Sequence, residues 1–452
     1  MHALLKNEKG QSLAIYVLLI GVLAGAMALS FDMGRAFLLK SRMQRAADAA
    51  ALAAVRDLQY PLIAHQSALD FAGRNGFTNG ADEISVAAYP SDQKSNWYVV
   101  EISQPSLHLL APLVGIMKSN VSVSSVAEYN SYLPINITGG GEYGANGIVT
   151  LSVFGPYAYY SYGDAYSPRW LDNGQTNPDY KESGYNFAIN VPQNYYTING
   201  SNWMRVQIFD PDTWNNGGDD AAAGLRIDEI RSAPGGSHPQ PANRRNTTVY
   251  SLYAADNTPE DLSDDVLIAK ATYGPQVTST DMKWVTPAGF EFNVGNYGTG
   301  RYRLNVQSSD GSSENGFNLR AGPPVSTFNP NNGTSITAIG AMPMNFNGSG
   351  AVTVVLGTVG AEAAGAKMHI NKFDTDVGAK SITYRCDSLA SQWSGILSDN
   401  GKWKEDIISI PDGYTGGKWT ATYTAGLQDT SVWTMWFEGT GAGQPGFVRL
   451  VK

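Results

Sequence analysis

The sequence predicts an α+β protein in three parts: an N-terminal transmembrane helix leading into a small α+β unit, then two β-sandwiches of jelly-roll or C2-like type. Three observations predict it. A charge-free apolar run, LAIYVLLIGVLAGAMALSF, fills Leu13 to Phe31. Helix-compatible sequence without proline continues from it to Leu58. Beyond residue 132, short alternating segments recur between turn clusters. Charged residues there give way to glycine and aromatics: 16% of the chain is charged, with 49 glycines, 24 tyrosines and 10 tryptophans, the balance of turn-rich strands rather than of helical bundles.

The apolar run comes first. As a helix it spans about 28 Å, close to the hydrocarbon thickness of a bilayer. Leu13, Ile15, Val17, Leu18, Leu19, Ile20, Val22, Leu23 and Leu29 are its lipid-facing anchor residues. A cleaved secretory signal is the rival reading. It requires a small-residue cleavage site and a break in the helical pattern, whereas GRAFLLKSRMQRAADAAALAAVRDL continues the pattern. One helix from Leu13 to Leu58, on the order of 70 Å long, therefore projects beyond the membrane. In its outer half Leu39, Met43, Ala46, Ala50 and Ala54 recur at spacings of three and four, a narrow apolar stripe suited to packing on a small domain.

Orientation sets two rules against each other. Lys6 and Lys9 precede the run, and Arg35, Lys40, Arg42 and Arg45 follow it, so charge counting places the C-terminal side in the cytoplasm. The extracellular-looking composition of the β-rich part, and the ability of long domains to translocate despite flanking charge, place that part outside the cytoplasm. The expectation is a single-pass cell-membrane protein with an exterior C-terminal part.

The alanine-striped stretch carries a resemblance. Gly10-Gln11 before the span, Asp32-Met33-Gly34-Arg35 after it, and Gln44, Ala46, Ala47 and Asp48 leading into an alanine run resemble the TadG-like N-terminal region of Flp pilus-assembly (TadE/G-like) proteins. Asp32, Gly34, Arg35, Gln44, Ala46, Ala47 and Asp48 are the motif positions. The resemblance implies an inner-membrane or envelope protein associated with tight-adherence pili, with pilus-assembly machinery or other envelope proteins as partners and no catalysis of its own. The α+β patterning of residues 1–132 is, by analogy, similar to a pilin-like head packed on a long helix. A prepilin-peptidase substrate would carry Gly followed five residues later by Glu; Gly10 is followed at that distance by Ile15, so the helix is expected to stay as an anchor.

Three segments follow from the patterning. Residues 1–132 form the anchor and the α+β unit: LIAHQSALDFAGRNGF reads as a second helix with Ile63, Ala68, Phe71 and Ala72 on one side, EISVAAY and WYVVEIS as a hairpin, SLHLLAPLVGIMK as an interrupted helix and NVSVSSVAEY as a strand. The Gly-rich PINITGGGEYGANG marks a boundary. Residues 133–324 read as the first sandwich, from IVTLSVFG to GFNLRA. Residues 325–452 read as the second, from AVTVVLG to GFVRLV.

Charge and motif content exclude several functions. Lys and Arg total 31 against 40 Asp and Glu, a net charge of -9, with no basic patch in the β-rich portion, so nucleic acid is not an expected partner. The single cysteine, Cys386, forms no intrachain disulfide and reads as a buried thiol. His2, His65, His108, His238 and His369 are scattered without metal-ligand spacing, and no nucleophile elbow or phosphate loop is present, so an enzyme is not expected. The site candidate is the acidic stretch IFDPDTWNNGGDDAAAGLRIDE. Calcium takes six to eight oxygen ligands, and Asp210, Asp212, Asp219, Asp220 and Asp228 around Gly-permitted turns could supply them; Asx turns and solvated acids are the plainer alternative. Tyr157, Tyr159, Tyr160, Tyr162, Tyr166 and Trp170 crowd one segment, where exposed rings would stack on a glycan and buried ones would pack the sheet. The expected function is a membrane-anchored structural envelope protein; the alternative is a surface adhesin or carbohydrate-binding protein with no pilus role.

Overall fold

The computed structural model describes residues 8–451 apart from 59, 111, 113–116, 134–147, 161, 164–165, 167, 213–228, 231–245, 257–262, 275–278, 281–282, 348–349, 375–379, 398–400, 426–428 and 440–445. The chain is α+β and divides into two compact units, Met1–Tyr129 with Val448–Lys452, and Asn130–Phe447.

The first unit is built on α1 (Glu8–Arg56), 49 residues of good helix formers without proline. Arg56 in its last turn complements the helix dipole. α2 (Pro61–Arg74) begins on proline, whose missing N–H costs nothing in a first turn. Its buried face is Ala64, Ala68 and Ala72. Ile63 and Phe71, expected on the packing side, are 52% and 39% exposed. Alanine's small size, which lets two helices approach closely, outranks hydrophobicity here. Strands β1 (Ser85–Pro90), β2 (Trp97–Leu107) and β3 (Lys118–Leu133) form an antiparallel meander. The interrupted helix expected at SLHLLAPLVGIMK is replaced at both ends: β2 runs through Leu107 and β3 starts at Lys118. Residues 111 and 113–116 of that segment lie outside the described residues.

In chain order the second unit carries β4 (Ile148–Phe154), β5 (Tyr159–Tyr160), β6 (Trp170–Leu171), β7 (Tyr185–Val191), β8 (Trp203–Phe209), β9 (Glu229–Ile230), β10 (Thr247–Asp256), β11 (Leu267–Tyr273), β12 (Trp284–Val285), β13 (Glu291–Asn293), β14 (Gly300–Asp310), β15 (Ser313–Gly322), β16 (Ser335–Ile339), β17 (Met342–Asn347), β18 (Gly350–Val359), β19 (Lys367–Asp374), β20 (Lys380–Cys386), β21 (Gln392–Leu397), β22 (Trp403–Ser409), β23 (Gly417–Ala425) and β24 (Asp429–Glu438). A long sheet runs β12-β8-β15-β4-β17-β24-β19-β22. A layer ordered β16-β7-β14-β10-β11 packs on the β15 region: the Phe187 and Tyr250 rings meet Phe317 edge-on at 5.9 and 5.7 Å. A second layer, β18-β23-β20-β21, meets the β19 region through Tyr384 and Lys372. Two sandwiches thus share one sheet, and one cluster of buried apolar side chains, from Leu151 to Phe437, runs through both. Burying each large aliphatic or aromatic side chain contributes about 1.5–3 kcal/mol.

Two expected boundaries change. No break falls at 324/325: β17 pairs with β4 (Met344 opposite Leu151) and with β24 (Met342 opposite Trp433), while β16 joins β7 (Ile336 opposite Ile189). The segment MPMNFN, not among the strands expected from the sequence, is a central strand despite Pro343. The terminal strand β25 (Gly446–Leu450), expected in the second sandwich, pairs with β3 instead. At Gly184 (φ +78°) an added Cβ would run into the carbonyl oxygen of Val306, so the entry to β7 requires glycine.

Candidate functional site

Among the described residues α1 is the one helix long and apolar enough to cross a membrane. Ile15, Val17, Leu18, Leu19, Ile20, Val22, Leu23 and Leu29 are 51 to 70% exposed, as lipid-facing residues must be when no lipid is present. The side chain of Leu13 lies outside the described residues. The helix then changes character within one turn. From Asp32 onward a second face is covered, and Met43, Ala46, Ala47, Ala50, Ala51, Ala54 and Val55 lose all contact with solvent. This spacing of three and four is the stripe legible in the sequence.

Several motif residues have specific contacts. Asp32, 2% exposed, accepts the backbone N–H of Leu109 at 2.8 Å and of Leu110 at 3.0 Å, one on each carboxylate oxygen. It ties the β2–β3 connection to the helix. Gln44 donates to Asp48 Oδ1 at 2.8 Å and to the carbonyl of Ser124 in β3 at 3.1 Å. Asp48 thereby orients the glutamine that links helix and sheet. Ala46 and Ala47 give the close approach. Gly34 faces open space, where a Cβ would meet nothing within 4 Å, and Arg35 is exposed.

Of the acidic stretch, Asp210 and Asp212 are placed and both are fully buried. Asp210 has φ +49°, and its N–H donates to the Lys283 carbonyl at 3.0 Å. Thr280 donates its hydroxyl to Asp212. The Pro211 carbonyl between them accepts Tyr250 Oη at 2.9 Å and Asn315 Nδ2 at 3.3 Å, which pins the turn into the first sandwich. Asp219, Asp220 and Asp228 lie outside the described residues. Among the described residues no group of three or more His, Cys, Asp or Glu is placed to hold a metal ion.

In the aromatic-rich segment Tyr157, Tyr162 and Trp170 are half-buried, and the side chain of Tyr160 lies outside the described residues. Tyr159 and Tyr166 are buried, and Tyr166 Oη donates to the Ile339 carbonyl at 3.2 Å and accepts the Ala341 N–H at 3.0 Å. Trp419 and Trp433 are fully buried. Cys386 is an unbridged, buried thiol 3.3 Å from Ser388 Oγ.

Sequence reasoning did not single out three charged clusters. In the second sandwich the ammonium of Lys372, wholly buried, meets Asp406 and lies 3.1 Å from Tyr384 Oη, which donates to Asp406 Oδ2 at 2.7 Å. Burial lowers the Lys372 pKa against the opposing pull of Asp406, and burial raises the Tyr384 hydroxyl well above its ordinary range. Gly395 makes room, since a Cβ there would strike the Asp406 carboxylate. On neighbouring strands His369 is held between Glu405 (Nδ1, 2.8 Å) and Glu438 (Nε2, 3.0 Å) and stacks on Trp436 at 4.0 Å. In the first unit Glu128 is clamped by Lys94 and Arg449, each at 2.7 Å, beside a hydrogen bond of 2.8 Å from Val451 N–H to the Val126 carbonyl. The signal for Lys372 was parity: it shares the alternation of Met368 and Ile370, an apolar face.

Residues 10–57 match the family model Tad, described as Flp pilus-assembly TadE/G-like. No curated protein matches the chain. Among solved structures, the tandem CBM22-1–CBM22-2 domains of Paenibacillus barcinonensis Xyn10C align at 10% identity and a TM-score of 0.14, over 82% of this chain and 92% of that one. The M60 catalytic domain with CBM51-1 and CBM51-2 from Clostridium perfringens ZmpB aligns at 8% identity and a TM-score of 0.15, over 83% and 44%. Infectious bursal disease virus, Gx strain, aligns at 10% and 0.14, over 72% and 74%. TM-scores this low carry no argument about fold or function.

Proposed function

We propose, from the TadE/G-like match over residues 10–57, that the chain is a membrane-anchored, non-catalytic component of Flp pilus assembly or of the cell envelope, with its sandwiches outside the cytoplasm for protein contact. The observation that carries this reading is the two-part surface of α1: an exposed apolar half of spanning length, then a half whose alanine face is covered by its own unit. A helix serving only as a soluble core element would be covered along its whole length. The motif residues Asp32 and Gln44 lie where the two halves meet and just beyond, which suits a role in setting the unit on its anchor.

Two measurements test it. Protease added to spheroplasts is expected to cut the β-rich part, while in inverted membrane vesicles that part is protected; the reverse pattern overturns the orientation. Crosslinking in cells followed by purification is expected to recover pilin, secretin or assembly-ATPase components. Recovery of none of these, together with binding on a glycan array, supports the adhesin alternative instead. Calcium at the acidic turn belongs to the same proposal: chelation should lower the melting temperature, and an unchanged melt dismisses the ion.

A further inference from the structure

The exposed apolar surface of α1 does not end at Phe31. Met33, Phe37 and Leu38 are 64, 72 and 64% exposed. Asp32, in their midst, turns to the other side and holds the amides of Leu109 and Leu110. The described start of the β2–β3 connection is thus fastened to the helix at the level where the apolar span gives way to Arg35 and Lys40. Where this connection leaves the two strands, Leu107, Leu109 and Met117 are 66, 61 and 64% exposed. The sequence from Leu107 to Met117, LHLLAPLVGIM, contains no Asp, Glu, Lys or Arg. Charge returns at once beyond it, where Lys118 pairs with Glu83 at 2.7 Å.

Single exposed leucines are ordinary on soluble surfaces, but here three large exposed apolar side chains flank one connection that is hydrogen-bonded to the helix at Asp32, beside the exposed Met33, Phe37 and Leu38. The occupant follows from depth. If Leu13–Phe31 fills the hydrocarbon layer, the next seven residues rise about 10 Å, the scale of the headgroup layer on that side. Leu109 and Leu110, held at Asp32, fall in that layer. The same contact explains a carboxylate at the edge of a span: two backbone amides replace the water that lipid removes.

We infer that Leu107, Leu109 and Met117 lie in the interfacial layer of the bilayer that α1 crosses, making this end of the β2–β3 pair a second lipid contact. The inference rests on the anchoring reading of α1. The loop restrains the unit from rotating about its helix and fixes its tilt on the membrane surface.

The test uses the full chain with Cys386→Ala, so that single cysteines can carry an environment-sensitive fluorophore. Positions are Leu109→Cys, Leu107→Cys, Leu23→Cys in the span, and Gln93→Cys in the turn at the other end of β2. The protein is reconstituted into phosphatidylcholine–phosphatidylglycerol vesicles containing lipids spin-labelled at shallow or deep positions. The expected result is blue-shifted emission at 107 and 109, quenched several-fold more by the shallow label, with deep quenching at 23 and water-like emission at 93. Water-like emission at 107 and 109 with quenching retained at 23 overturns the loop contact and leaves the anchor standing. Loss of quenching at 23 overturns both.

Discussion

Asp32 shows how one side chain can belong to two environments. It stands where a helix leaves lipid, and its charge is accommodated because two amides reach it from a loop distant in sequence. Asp32→Ala should cost about 2 kcal/mol by leaving both N–H groups without an acceptor, whereas Asp32→Asn, which keeps one acceptor oxygen, should cost roughly half as much. Melting in detergent, compared across the two variants, measures this; no loss in Asp32→Ala would show that the carboxylate has no capping role. Lys372 presents the opposite situation, a cation placed inside a core. Lys372→Met should lose about 3 kcal/mol because Asp406, half-buried with its side chain 16% exposed, is left without its counter-charge, and the double variant with Asp406→Leu should recover much of the loss. Urea denaturation of the two proteins distinguishes the outcomes. Asp32 was legible in the sequence as part of the Asp32-Met33-Gly34-Arg35 element that carries the family resemblance. Its partners were not, since 77 and 78 residues separate it from the amides it holds.

At the scale of elements, α1 works because its faces change along its length. The outer half packs through alanines, so there is no space for larger groups: Ala47→Leu or Ala50→Leu should destabilise the first unit by about 1–3 kcal/mol through overpacking, while Arg42→Leu on the exposed face should not. Hydrogen exchange of β2 and β3 amides reports the difference. The alanine stripe was readable because the 3.6-residue period is local. The buried face of α2 was misread for an equally physical reason: periodicity locates apolar residues, but which apolar residues are covered depends on how closely the neighbouring helix approaches. β25 makes a similar point. Its alternation identified a strand, and only β3, together with the Arg449–Glu128 pair, decided where it pairs.

The whole molecule buries many phenols, and this sets its alkaline limit. Burial pushes Tyr98 and Tyr414 up to about 12 and raises Tyr195, Tyr302 and Tyr384 as well. Their ordinary value is 10.0, so above that pH the unfolded chain loses phenolic protons that the folded chain keeps. Stability supplied by these protonated phenols is complete below pH 10 and falls as pH rises toward the folded values. Lys372 acts with the opposite sign, because its lowered folded value means that the unfolded chain binds the proton more strongly, and stability rises up to the ordinary 10.5. Several phenols outweigh one lysine. The melting temperature should therefore drop steeply above pH 10, with tyrosinate absorbance appearing together with unfolding; absorbance that rises before unfolding would show the phenols to be accessible.

The sequence by itself determined the apolar anchor helix, the alanine stalk, the β-rich character of the C-terminal part and the position of most strands, because hydrophobic run length and the periods 3.6 and 2 are local properties of the backbone. The tertiary structure alone decided that the two sandwiches share a sheet through β17, that the last strand returns to the first unit, and that Asp32 holds a loop. Those are pairings between distant segments. They depend on which backbone edges and buried charges can satisfy one another, and no local pattern records that choice. The anchor predicted from one apolar run thus acquires from the fold a loop fastened beside its end.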